Sequence, residues 1–175
     1  MKKIIPFFFS LILFISFACA QIPDQRPVVL NPSFDKKISR TISFTVPTIS
    51  PKQLKEMDEN IYILDAREEA EYNVSHIPNA RCIGYDNFDF STIDDIPKDA
   101  TVVLYCSIGY RSEKIGEQLQ EKGFSTVYNL YGSIFEWMNQ GFPVINNEGT
   151  TTTQVHTYNK AWSKWVDKNA AERIW

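Results

Sequence analysis

The chain has 175 residues, 43% hydrophobic and 22% charged, an ordinary globular composition with room for one domain and a real core. A formal charge of −3 with scattered lysines argues against nucleic acid as a partner. Three cysteines and two histidines without a CxxC or Cys/His cluster argue against zinc, and no cofactor is expected.

Met1-Lys2-Lys3 is a short basic start, Ile4 to Phe17 is nearly all apolar, and Ala18-Cys19-Ala20 offers a small-x-small cleavage site before Gln21. That order over residues 1–20 is a secretory signal peptide, too short and wrongly flanked for a comfortable membrane span. It predicts an exported protein, periplasmic or in the cell envelope. Cys19 offers an alternative, acylation as a lipoprotein, which would tether the domain to a membrane. Ser16 and Phe17 suit that pattern poorly, so cleavage after Ala20 is preferred. Cleavage removes Lys2 and Lys3 and no acid, taking −3 to −5. Cys82 and Cys106 then remain in a compartment that permits disulfides, as one bridge or as two thiols.

Residues 21–41 carry Pro23, Pro27 and Pro32 and read as an extended lead-in. Ile42 to Ile49 alternates apolar and polar, predicting a first strand whose Pro47 suits a sheet edge. Ser50-Pro51-Lys52-Gln53 predicts a helix start, with Ser50 as cap, Pro51 at the first helical position and Gln53 completing a capping box. Ile61 to Leu64 is an apolar run ending at Asp65, a strand buried on both faces. Glu68 to Tyr72 predicts a short helix, Ser75 to Ala80 a turn, Arg81 to Tyr85 a strand and Asp86 to Asp99 an acidic loop.

Thr101 to Tyr105 is the most strand-like segment. Ser112 to Lys122 predicts a helix stopped by Gly123, Thr126 to Tyr131 a strand, and Gly132 to Gln140 a helix ending at Gly141. This alternation through Phe142 argues for an α/β single domain with a central parallel sheet flanked by helices. Beyond a domain at 42–146, residues 147–175 read as a tail with a helix over Tyr158 to Ala171. Trp162, Trp165 and Val166 would dock it on the domain, or else form an exposed aromatic face for a partner or membrane.

Parallel α/β sheets handle ligands at the carboxyl ends of strands. Cys106 occupies that position, and Cys106-Ser107-Ile108-Gly109-Tyr110-Arg111 runs directly into a helix. Successive N–H groups in such a turn converge on an anion, aided by the helix dipole, and Gly109 permits the positive φ this needs. A cysteine there beside Arg111 is expected to ionise well below its free pKa of about 8.5 and to act as a nucleophile without a histidine base.

These segments together resemble the rhodanese-like sulfurtransferases, from about Ile61 to Val144 and more loosely from Ile49. Leu64-Asp65-Ala66-Arg67 with Glu71-Tyr72 is similar to the family's aspartate-x-arginine segment, and Ser75-His76-Ile77-Pro78-Asn79-Ala80 to its histidine turn. Val103-Leu104-Tyr105-Cys106 through Gly109 and Arg111-Ser112 resembles its active strand and loop. Gly123-Phe124, Val127 to Leu130 and Trp137 follow as in its closing half.

The resemblance implies that Cys106 takes the outer sulfur of a donor such as thiosulfate as a persulfide and passes it to a thiol or cyanide. The N–H groups of residues 107–111 would cradle the persulfide and Arg111 would orient an anionic donor. Asp65 and Arg67 would brace the loop, and His76 would be hydrogen-bonded structurally. Related phosphatases have one more residue between cysteine and arginine, so the loop fits a sulfur atom and not a phosphoryl group. Ser107 and Ile108 stand where thiosulfate-using members carry a basic residue, which favours a less charged persulfide or polysulfide. Ser133 stands in a common glycine pair, a change expected to affect only the start of its helix. Cys82 reads as a packed thiol, or as a partner of Cys106 in a redox bridge. A non-catalytic module that carries a persulfide or binds a partner is the alternative to the enzyme.

Overall fold

In a computed structural model, residues 26–57 and 60–175 are described; the leader expected over residues 1–20, Cys19 included, lies outside them. The elements follow in chain order: α1 (Pro32–Ile38), β1 (Thr48–Ile49), α2 (Pro51–Glu56), β2 (Ile61–Asp65), α3 (Glu69–Val74), β3 (Ala80–Cys82), β4 (Thr101–Tyr105), α4 (Tyr110–Glu121), β5 (Thr126–Leu130) and α5 (Ser133–Asn139). Beyond them lie β6 (Val144–Ile145), β7 (Thr151–Thr152), β8 (Gln154–His156) and β9 (Glu172–Ile174). Five strands form one sheet in the order β1-β5-β4-β2-β3, and every pairing is parallel. The expected α/β architecture holds.

The central strand β4 shows how the site is aimed. Successive side chains of a strand face opposite ways. Val103 and Tyr105 enter one core with Phe34, Leu130 and Phe135, while Val102, Leu104 and Cys106 enter the other with Ile115, Leu119 and Val127. The thiol is therefore delivered to the α4 side of the sheet.

Several local expectations hold to the residue. Ser50 accepts from Gln53 N–H at 3.2 Å, and Gln53 Oε1 accepts from Ser50 N–H at 2.8 Å, closing the capping box above α2. Gly123, at φ +88, ends α4.

Besides the strand expected over Arg81 to Tyr85, which ends at Cys82, three expectations need correction. The lead-in 21–41 is not extended throughout. Asn31 caps α1 by accepting from Ser33 and Phe34 N–H, Pro32 opens it, and Phe34 and Ile38 are fully buried beneath it. Ile42 to Ile49 is not one strand: only Thr48–Ile49 pairs with β5. Its alternation is real, with Ile42 and Val46 buried, but Phe44 takes φ +58, and Ser43 and Thr45 donate their N–H groups to the buried Glu113 carboxylate instead of a ladder.

Third, the tail holds no tryptophan-rich helix. It contains a single 3-10 turn, Ser163–Trp165, between β8 and β9, which pair parallel. Asn159 Oδ1 accepts from Ala161 and Trp162 N–H, while Asn139 bonds both Trp165 O and Asp167 N, pinning an irregular path. The tryptophans nevertheless dock the tail. Trp165 stacks on Phe34 at 5.5 Å, and Lys37 Nζ lies 5.0 Å from the Trp162 ring centroid.

Candidate active site

Cys106 follows the last residue of β4 and is 2% exposed. Gly109, at φ +119, turns the loop so that its N–H donates to Cys106 Sγ at 3.1 Å. A side chain added at Gly109 would make only ordinary contacts, so the backbone angle is what requires glycine there.

The loop is gripped from two sides. Asn129 on β5 donates from Nδ2 to Gly109 O at 2.9 Å, which fixes its amide orientation. Its Oδ1 then accepts the Ser112 hydroxyl at 2.8 Å. From α5, Ser133 Oγ accepts Cys106 N–H at 3.1 Å, and Ile134 and Phe135 N–H reach Cys106 O and Ser107 O. Ser133 thus does more than start a helix. At φ +52 it holds the backbone of Cys106, a correction to the expectation that its effect stops at α5.

Burial is the largest influence on the Cys106 thiol and opposes its ionisation. The positive charge of Arg111 and the N–H groups of Ser112 and Gly109 outweigh burial, so the thiol sits below its ordinary pKa. The Ser112 hydroxyl has one proton, already given to Asn129, so backbone N–H groups are the donors to sulfur.

Arg111 is not a free anion hook. Its Nη1 and Nη2 clasp Glu71 Oε2 and Oε1 at 2.6 and 2.8 Å, and Nη2 also reaches Ser107 Oγ at 3.1 Å. Burial raises the Glu71 pKa, but the Arg111 hydrogen bonds and charge and the nearby Arg67 charge bring it below the usual carboxylate range. Glu71 is the functional candidate that sequence reasoning missed. A carboxylate six residues beyond Asp65, at the foot of a cationic loop, is the signal that marks it.

Asp65 and Arg67 form a second, fully buried pair. Arg67 Nη2 donates to Asp65 Oδ2 at 2.6 Å and to Ser75 O at 2.7 Å, tying β2 to the histidine turn. His76 Nδ1 meets Tyr72 O at 3.0 Å and its ring stacks on Tyr72, while its backbone bridges Ile145.

Both described cysteines are free thiols. Cys82 and Tyr105 sit opposite Asp65 from the two flanking strands, so β2 runs between them. Two strand spacings of about 4.8 Å put Cys82 roughly 9–10 Å from the end of β4, beyond the ~7 Å limit for a disulfide. The redox bridge between Cys82 and Cys106 is therefore excluded in this fold. Cys82 Sγ instead contacts Arg67 O at 3.8 Å, and burial raises its pKa.

Above the loop lies a recess of about 460 Å³. Cys106, Ser107, Ile108, Tyr110 and Arg111 line it, as do Lys37, Thr41, Tyr158 and Trp162. Gly109 lies behind this lining and acts through its backbone.

A parallel sheet delivering a thiol into an N–H cradle at a helix start is the arrangement expected of a rhodanese-like domain. The rhodanese-like domain model matches residues 50–140, and the chain belongs to that family. The chain is 34% identical over 91 residues to a protein named sulfurtransferase from Allochromatium vinosum, covering 52% of this chain and 84% of that one. It is 34% identical over 89 residues to the tRNA uridine(34) hydroxylase of Pectobacterium atrosepticum, but covers only 25% of that protein's length. Among solved structures, a rhodanese-related protein from Thermoplasma volcanium shares 25% identity, with 57% of this chain and 97% of that one covered at a TM-score of 0.51. Membership brings with it a sulfur donor and a sulfur acceptor in general terms. Helix α1 and strands β6 to β9 lie outside the matched residues.

Proposed function

We propose that the protein is an exported sulfurtransferase that carries one sulfane sulfur as a Cys106 persulfide. The Cys106 thiolate attacks the outer sulfur of thiosulfate, a persulfide or a polysulfide. A new S–S bond forms, the donor's own bond to that sulfur breaks, and its electron pair leaves with sulfite or a thiolate. A thiol or cyanide then attacks the outer sulfur of Cys106–S–S⁻ and releases the Cys106 thiolate.

The observation that carries this reading is the Gly109 N–H donated to Cys106 Sγ at 3.1 Å, with the Arg111 charge acting on the same sulfur. These donors favour the thiolate and, equally, the persulfide anion that replaces it. Asn129 and Ser133 hold the donors in place before reaction, so little reorganisation accompanies transfer. Export belongs to the same proposal, resting on the basic, apolar and small-residue order of residues 1–20.

Thiocyanate formation from cyanide with thiosulfate or polysulfide as donor tests the reading. Turnover that disappears in Cys106→Ser supports it. Absence of turnover with every donor, or its survival in Cys106→Ser, refutes it.

A further inference from the structure

The recess above Cys106 is not built by the family-matched residues alone. Lys37 and Thr41 come from α1 and the turn after it, and Tyr158 and Trp162 from the tail, all outside residues 50–140. The rim is therefore built from residues outside the family-matched segment.

Its chemistry is unlike that of a thiosulfate site. The lining is mostly apolar, with the Ile108 side chain and the rings of Tyr85, Tyr110, Tyr158 and Trp162. Two cations, Lys37 and Arg111, share the lining with Glu68 and Asp86, Glu71 pairs with Arg111 from behind, and ionised Cys106 adds a further negative charge. Both cations also lie against aromatic faces: Arg111 Cζ is 5.6 Å from the Tyr158 centroid and Lys37 Nζ 5.0 Å from that of Trp162. A small hydrated dianion meets Glu68, Asp86 and the Glu71-paired Arg111 here and leaves most of about 460 Å³ unfilled. A volume of this size suits an organic molecule with an apolar body.

Tyr158 is also set deliberately. It takes φ +63, where a bulky residue is an outlier, and its N–H donates to His156 Nδ1 at 3.1 Å. Although 59% exposed, its ring is thereby held over Arg111.

We infer that Tyr158 and Trp162 determine donor specificity, selecting a persulfide or thiosulfonate whose sulfane sulfur rides on an apolar organic body with at most one negative charge. The inference rests on the sulfurtransferase reading above and narrows its donor. With benzenethiosulfonate as probe, the Cys106 thiolate bonds to the outer sulfur, and the sulfur–sulfur bond of the donor breaks. Benzenesulfinate leaves with the electron pair, just as sulfite leaves from thiosulfate, and no oxidant or proton is consumed.

The test measures single-turnover loading of Cys106 by benzenethiosulfonate and by thiosulfate, each rate divided by that donor's rate with free cysteine. The full chain should favour benzenethiosulfonate by about tenfold or more after this correction. Tyr158→Ala, at an exposed position, should lower that preference by about fivefold to tenfold, and Tyr158→Phe should retain it. A corrected preference near one, or one that Tyr158→Ala leaves unchanged, overturns the inference while the sulfurtransferase reading stands. Failure of both donors to load Cys106 overturns the two together.

Discussion

Glu71→Gln isolates the charge pair beneath the loop that carries Cys106. In the native chain Glu71 and Arg111 meet through two hydrogen bonds, with their side chains 5% and 14% exposed. Glutamine keeps the shape but turns an NH₂ group toward the arginine donors and leaves the guanidinium buried without its counter-charge. Removing one partner of a buried pair costs about 3–5 kcal/mol. That is a large part of a typical stability of about 5–15 kcal/mol, and for a chain of this size it lowers the Tm by roughly 6–20 °C. The sign with pH follows from the depressed Glu71 pKa. The stabilisation is complete above the ordinary carboxylate range and is lost as pH falls through the folded value. Thermal unfolding of both proteins from pH 7 down to pH 3, across the ordinary glutamate pKa of about 4.3, should therefore show a gap that narrows in acid. A Tm for Glu71→Gln within about 2 °C of the native chain at neutral pH, or a gap indifferent to pH, would refute the reasoning.

Other expected outcomes bear on the neighbouring contacts. Ser133→Ala strands the buried Cys106 N–H and keeps the strained φ of +52, so it should cost about 1–3 kcal/mol in urea unfolding. Ser133→Gly loses the same bond but relieves about 1–2 kcal/mol of left-handed strain, and should lie closer to the native chain. Asp65→Asn leaves the fully buried Arg67 without its counter-charge and should cost about 3–5 kcal/mol, read by the same unfolding curve. Alkylation of Cys106 followed against pH should show a midpoint below that of an ordinary cysteine, with reactivity falling as pH drops through it, and Arg111→Gln should move the midpoint upward. Non-reduced peptide mapping should find Cys82 and Cys106 as separate thiols.

Much of the scaffold could be read directly from the chain. The apolar β4, the capping box at Ser50 and the glycine stop at Gly123 are local signals, and local physics decides them. The loop from Cys106 to Arg111 was legible for the same reason: its strand, turn and helix start are contiguous. What escaped depends on residues distant in sequence. Alternation over Ile42 to Ile49 marked Ile42 and Val46 as buried, but Phe44 is exposed, and nothing local showed that Glu113 would capture the Ser43 and Thr45 N–H groups from 70 and 68 residues away. The role of Glu71 emerges only when α3 and α4 place it against Arg111, 40 residues on. The helical spacing of Trp162 and Trp165 reflected docking against α1 rather than a helix, because Asn139 and Asn159 fix that path through their side chains. The upper rim of the recess, drawn from both ends of the described chain, left no local signature.

The central claim is that a cradled Cys106 thiolate accepts and holds one sulfur atom. Intact mass spectrometry after brief exposure to thiosulfate, polysulfide or benzenethiosulfonate measures this directly. The account predicts a gain of one sulfur, mapped to Cys106, removed by cyanide and absent in Cys106→Ser. No gain with any of these donors, or a gain that persists in Cys106→Ser, would contradict it.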